Sequence, residues 1–427
     1  MNILWKALLY LLPFHYLVFT VLLGNIPFSG YWKELILIIL YVFILLSFFK
    51  SNNYRISKSS LVLFLFILIN LTYVIIADNP SYALYHMRLY VEPMIAYYIY
   101  KNINIKISEL VPLIKGLFII SVIISLYGIL QAVILKSDFL VRIGYPSEDG
   151  RLSHVFFLNA IDNFQRVTAT FVYPNTFAYY IALILIVSFA YRKKLFKNTL
   201  IYQLGTAISL IALLLTFSRS TWVSLVSVIG IYVIVNLIYN KKIKIKKMPF
   251  LFSVFSIALV TLIFDIFKDY GIFKIISTYV IRTVTLEDTS AVGHLDSMEA
   301  SKELAYENMS GLGLGNNGPK ALQNFNYPNL TESSYYLLWF ELGLLGMLVY
   351  IGFIAVIMYS AIKGLITKHQ NYFKFNYFIV ILLIVFTLVN FIFLPYIQDV
   401  EILIFLFALI GIFANEFKEN KNNKGIS

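Results

Sequence analysis

The chain has 427 residues, 60% of them hydrophobic and only 13% charged, with 34 Lys plus Arg against 22 Asp plus Glu for a net charge of +12. Soluble domains carry roughly 25% charged residues, so this composition excludes a soluble globular fold, and the basic excess is read as loop charge beside a bilayer rather than a nucleic-acid surface. The absence of cysteine excludes disulfides, thiolate metal sites and a Cys nucleophile.

Residues 1–23 form an apolar run with no small-x-small cleavage site, and read as a retained first span rather than a signal peptide. Further stretches long enough to cross roughly 30 Å of hydrocarbon fall near 32–49, 59–76, 82–100, 111–135, 171–191, 198–217, 220–239, 249–267, 333–360, 372–394 and 398–415. The expected fold is an all-α polytopic membrane protein of about twelve transmembrane helices. Lys and Arg recur in every even-numbered connection, as in Arg192, Lys193, Lys194 and Lys197 or the 241–247 lysine run. Short cytoplasmic loops carry such an excess, so both termini are expected in the cytoplasm. With no internal repeat or low-complexity linker, residues 1–427 read as one integral membrane domain. It has two long extracytoplasmic loops, about 136–170 and about 268–332, and a cytoplasmic tail at 416–427. Long loops in a compact protein tend to carry function.

Arginine is distributed against the positive-inside trend. Of eight, only Arg55 and Arg192 fall in cytoplasmic connections; Arg88, Arg142, Arg151, Arg166, Arg219 and Arg282 fall in or near the outer half. A planar, permanently charged fork suits phosphate. Ordinary i, i+4 pairing is the competing account for Arg88 with Glu92 and for Arg166 with Asp162, and solvation for Arg142 and Arg151. Arg219 has no acid within four residues, and snorkelling is its alternative.

Four segments, Arg166 to Ala178 (RVTATFVYPNTFA), Thr216 to Trp222 (TFSRSTW), Gly311 to Asn316 (GLGLGN) and Glu332 to Gly346 (ESSYYLLWFELGLLG), together resemble the bacterial O-antigen polymerase and O-antigen ligase superfamily. The resemblance implies a lipid-dependent glycosyltransferase of the multi-spanning GT-C type at the outer face of the bacterial inner membrane. Its partners would be undecaprenyl-diphosphate-linked glycan donor and acceptor, membrane lipid and a chain-length regulator protein, with no nucleic acid. A polymerase extends the lipid-linked glycan and a ligase transfers it to a lipid A core. The ligase pattern has a His near the start of the span after the large loop, where this chain has Glu332; that favours a polymerase, with the ligase and a lipid-linked glycan flippase as alternatives.

The expected catalytic residues are Glu332, Arg219 and Arg166, with Arg88, Arg282, Asn175 and His294 binding diphosphate or glycan. Glu332 is read as the general base or its positioner, His294 as the rival base, and a helix-dipole contact with Thr331 as cap as the alternative to both. Arginines can stabilise a departing diphosphate by electrostatics, and no cluster has metal-ligand spacing, so no metal and no cofactor are expected. Gly313-x-Gly315-x-x-Gly318 matches a dinucleotide fingerprint but lacks a preceding strand, and reads as a tight turn after a helix over 296–309 that Gly311 ends. Pro174 and Asn175 open the sixth span, where Asn175 binds substrate or caps. Glu341, an acid inside the tenth span, is a functional candidate or a hydrogen-bonding partner for a neighbouring helix.

Overall fold

The structure is a computed structural model that describes residues 3–51, 57–149, 151–158, 164–239, 285, 289–321, 331–367 and 371–415. The ninth expected span, 249–267, the 241–247 lysine run and Arg282 lie outside the described residues. The described residues are 80% helical. Its helices are α1 (Leu4–Leu11, continuing through a turn at Pro13 and a π-helix over His15–Leu22), α2 (Trp32–Ser51), α3 (Lys58–Ile76), α4 (Pro80–Asn102), α5 (Ile107–Leu130) and α6 (Lys136–Ile143). After a loop holding two minimal antiparallel hairpins come α7 (Pro174–Leu195), α8 (Thr199–Leu215), α9 (Arg219–Tyr239), α10 (Thr289–Glu307), α11 (Ser334–Thr367), α12 (Asn371–Phe393) and α13 (Val400–Phe413).

Seven candidate spans among the described residues are long and apolar enough to cross a membrane: Leu4–Leu22, Ser29–Phe49, Lys58–Ile76, Ile107–Ile143, Pro174–Leu195, Ser334–Thr367 and Lys374–Phe393. The side chains on their outside agree. Leu35, Ile38, Phe43 and Leu46 on α2 and Leu61, Phe64, Ile75 and Ile76 on α3 are exposed, and apolar surface of that extent is stable only against lipid or another protein. The chain is thus a multi-pass membrane protein.

Local chemistry sets the helix ends. Ser57, Asn79 and Asn198 cap α3, α4 and α8 by accepting the backbone N–H of Ser60, Tyr82 and Leu200. Pro80 and Pro174 occupy the first turns of α4 and α7, where a missing N–H costs nothing. At the other end of α7, Arg192, Lys193 and Lys194 complement the helix dipole.

The middle of the bundle is α13, only 14 residues long and buried along nearly its whole length, as befits a helix that is apolar all round. It packs chiefly on α4. That location explains how α4 tolerates Arg88 and Glu92 at bundle depth: protein rather than lipid covers its faces. α11 breaks at Gly343 (φ 68, ψ 173). The glycine-rich loop after α10 docks into this break, with Leu312 N–H donating to Phe340 O (2.7 Å), Gly313 N–H to Glu341 O (3.1 Å) and Leu344 N–H to Met309 O (3.0 Å). The expected helix over 296–309 is there but starts earlier, at Thr289, and ends at Glu307. Gly311 does more than close it, because a Cβ there would run into the backbone of Gly343 and Glu341.

Candidate functional site

The polar side chains gather at one end of the bundle, where α7, α9, α11 and α13 begin. Arg166 is half-buried and donates three hydrogen bonds, from Nε to Thr216 O (2.8 Å), Nη1 to Val155 O (3.1 Å) and Nη2 to Asn175 Oδ1 (2.8 Å). It therefore ties the start of α7 to the turn preceding α9. Asn175 in turn accepts from the Tyr396 hydroxyl at its backbone oxygen (3.1 Å), and the same hydroxyl lies beside the side chains of Ser220, Thr221 and Ser218. Arg219 opens α9 in the middle of this group and is half-buried. The structure thus brings Arg166, Asn175 and the Arg219 turn into one neighbourhood.

Tyr396 begins a short segment that no motif in the sequence marked, 396–401, whose polar members reach several other elements. Gln398 donates from Nε2 to Asn317 O (3.0 Å) and accepts at Oε1 from Lys320 N–H (3.0 Å). Asp399 stands at the N-cap of α13 yet caps nothing; it accepts instead from the Thr176 hydroxyl (3.0 Å). The oppositely charged neighbour of this carboxyl is Lys320. Desolvation works to lower the Lys320 ammonium, but Glu401 and Asp399 outweigh it and hold that pKa above the ordinary lysine value.

Glu401 leads into an ion-pair cluster. It lies 3.2 Å from His15 Nε2 and 3.5 Å from Lys33 Nζ; Lys33, only 3% exposed, also meets Glu34 at 3.1 Å. Arg88 pairs with Glu34 at 2.7 Å and, less closely, with Glu92 at 3.8 Å, and its guanidinium lies over the Tyr85 and Tyr31 rings. The i, i+4 partner foreseen for Arg88 is the longer of its two ion pairs. Among the described residues no group of three or more His, Asp and Glu is arranged to hold a metal ion.

Glu332 and His294 meet directly, Oε2 to Nδ1 at 3.2 Å, with side chains 20% and 43% exposed. The two rivals for the base are one pair, linking the start of α11 to α10. Glu332 N–H also reaches Ser301 Oγ at 3.4 Å, and the neighbouring Thr331 N–H donates to Asn317 Oδ1 (3.0 Å). Glu341 lies fully buried nine residues further on. It accepts from the Tyr90 hydroxyl and from Gly315 N–H (3.1 Å), so it bonds α4 and the glycine loop, the neighbouring-helix role weighed for it. Arg142 and Arg151 are exposed.

Residues 204–351, about a third of the chain, match the family described as O-antigen ligase. The match supports the O-antigen polymerase and ligase superfamily. It covers Arg219, His294, Glu332 and Glu341, while Arg88, Arg166 and Asn175 precede it. No curated protein matches the chain. Members of this superfamily are glycosyltransferase-like enzymes. Lys33, Glu34, Lys320, Tyr396, Asp399 and Glu401 escaped the sequence reading. Charges at the edges of apolar spans were the available signal, visible at Lys33–Glu34 and Asp399–Glu401.

Proposed function

We propose that the protein polymerises undecaprenyl-diphosphate-linked oligosaccharide repeat units into a surface polysaccharide of O-antigen or capsule type, at the outer face of the bacterial cytoplasmic membrane. The observation that carries this reading is the Glu332–His294 pair at 3.2 Å, inside the matched family region and at the same end of the bundle as the Arg219 turn. Glycosyl transfer needs a base for the acceptor hydroxyl and stabilisation of the departing diphosphate. In the proposed reaction the acceptor oxygen bonds to the donor anomeric carbon, its proton passes to the Glu332–His294 pair, and the bond to diphosphate breaks with its electron pair on the leaving oxygen. Arg219, with Arg282 and Arg88 as further candidates, would stabilise the departing charge without a metal.

The wider reading has about twelve spans of GT-C type, both termini cytoplasmic and a chain-length regulator as partner. The ligase reading has the matched family's description in its favour; Glu332, standing where the ligase pattern has His, favours the polymerase. Purified protein in proteoliposomes, given lipid-linked repeat and separately a lipid A core acceptor, decides between them. Polymer on the lipid carrier is the expected product, insensitive to chelator, and exclusive transfer to the core would establish the ligase. Glu332→Gln should lower turnover about 10²- to 10⁴-fold. Near-normal turnover by Glu332→Gln with an inactive His294→Ala would move the base to His294.

A further inference from the structure

Arg166 and Arg219 look equivalent in the sequence, but the structure shows Arg166 working within the fold. Three Arg166 N–H groups go to protein acceptors that lie on three separate segments: Val155, Asn175 and Thr216. A guanidinium has five N–H donors in a rigid fork, so most of this one is committed to the fold. What it holds is unusual. The 216–219 turn contains Phe217 at φ 52, a left-handed conformation that a bulky side chain rarely adopts, and the 168–171 turn on the other side of Arg166 contains Ala169 at φ 54.

Such conformations persist only where the surroundings over-determine them. At Ala169 the clamp is visible: Gln131 accepts its N–H (2.8 Å) and donates to its carbonyl (3.2 Å), which also accepts from the Tyr145 hydroxyl (2.7 Å). At Phe217 the clamp is Arg166 on the preceding carbonyl, the Val167 N–H on Leu215 O (3.0 Å), and Tyr396 against Ser218, Ser220 and Thr221. Tyr396 and Arg166 also converge on Asn175, through its carbonyl and its side-chain oxygen respectively. The result is a closed frame around the turn before α9.

We propose that Arg166 and Tyr396 are positioning residues that hold the 216–219 turn in its left-handed shape, so that Arg219 rather than Arg166 meets the diphosphate. This rests on the donor chemistry proposed above. It departs from the simpler expectation that both arginines bind the same phosphates. If Arg166 acts through Arg219, its removal has little left to do once Arg219 is gone.

The test is a double-mutant cycle on the full-length protein in nanodiscs, read by the affinity for undecaprenyl diphosphate with undecaprenol as control. Arg219→Ala and Arg166→Ala should each weaken binding about tenfold or more, and Tyr396→Phe about threefold. The Arg166→Ala/Arg219→Ala protein should be no weaker than Arg219→Ala alone, and Arg166→Lys should fail to rescue, since an ammonium lacks the planar fork. Independent, multiplying losses in the double variant would overturn the proposal, as would undiminished binding by Arg166→Ala. Amide hydrogen exchange over 217–222 is the second readout. It should quicken in Arg166→Ala and Tyr396→Phe and stay unchanged in Arg219→Ala. Wild-type protein that binds the diphosphate no better than undecaprenol would defeat the donor reading, and exchange would still decide whether the frame holds the turn. Unchanged exchange in Arg166→Ala would refute the frame itself.

Discussion

Replacing Gly343 by alanine strikes the place where the glycine loop enters α11. Gly343 has φ 68 and ψ 173, a region essentially reserved for glycine, where another residue costs ~1 to 3 kcal/mol. The added Cβ would also sit 2.7 Å from the carbonyl carbon and oxygen of Ser310, which are backbone and cannot swing away. Relief by straightening the helix gives up the three loop-to-helix hydrogen bonds of Leu312, Gly313 and Leu344, each contributing roughly 1 kcal/mol. Either route destabilises by about 3 kcal/mol, and straightening also pulls Glu341 away from Gly315 N–H. The assay is thermal unfolding in detergent, paired with amide exchange over 309–318. Gly352, where an added Cβ would meet nothing within 4 Å, is the control: Gly352→Ala in the same helix should stabilise by ~0.5 to 1 kcal/mol. A Gly343→Ala protein that melts with wild type and keeps its loop protected would refute the docking argument.

Glu401→Gln leaves Lys33, 3% exposed, with Glu34 as its remaining carboxylate; it should destabilise by about 3 kcal/mol in chemical unfolding, and Lys33→Met in the same background should recover part of that loss. In topology mapping, Cys at the exposed Lys302 should label in spheroplasts without permeabilisation and Cys at Lys194 only after it, following the positive-inside reading; the reverse pattern would invert the bundle.

The helices were legible because their cause is local. An apolar run of about twenty residues bounded by Asn79–Pro80 or by Asn198 states its own start, and the capping contacts are those such residues make. The break in α11 was not legible in that way. Gly343 and Gly346 lie in a continuous apolar run, and Gly346 is tolerated within the helix while Gly343 is not helical at all. What separates them is a loop more than twenty residues earlier, whose Gly311 must pass against the Gly343 backbone. No local propensity contains that contact.

The same division runs through the site. Arg219, Asn175 and Glu332 stood out because each lies in a motif, and a motif is a local pattern. Asp399 carried the opposite signal: an acid immediately before an apolar run reads as an N-cap, a cheap and common job. Its side chain turns instead to Thr176, which lies 223 residues away in the chain, and to the charge of Lys320. Lys33 and Glu401 were likewise hidden as span-edge charges, although their burial beside His15 makes sense only when α1, α2 and α13 are brought together. Charge at the margin of an apolar span thus has two physical outcomes, solvation or burial against a partner of opposite sign. A carboxylate that leaves its own helix uncapped to reach a distant hydroxyl marks the second.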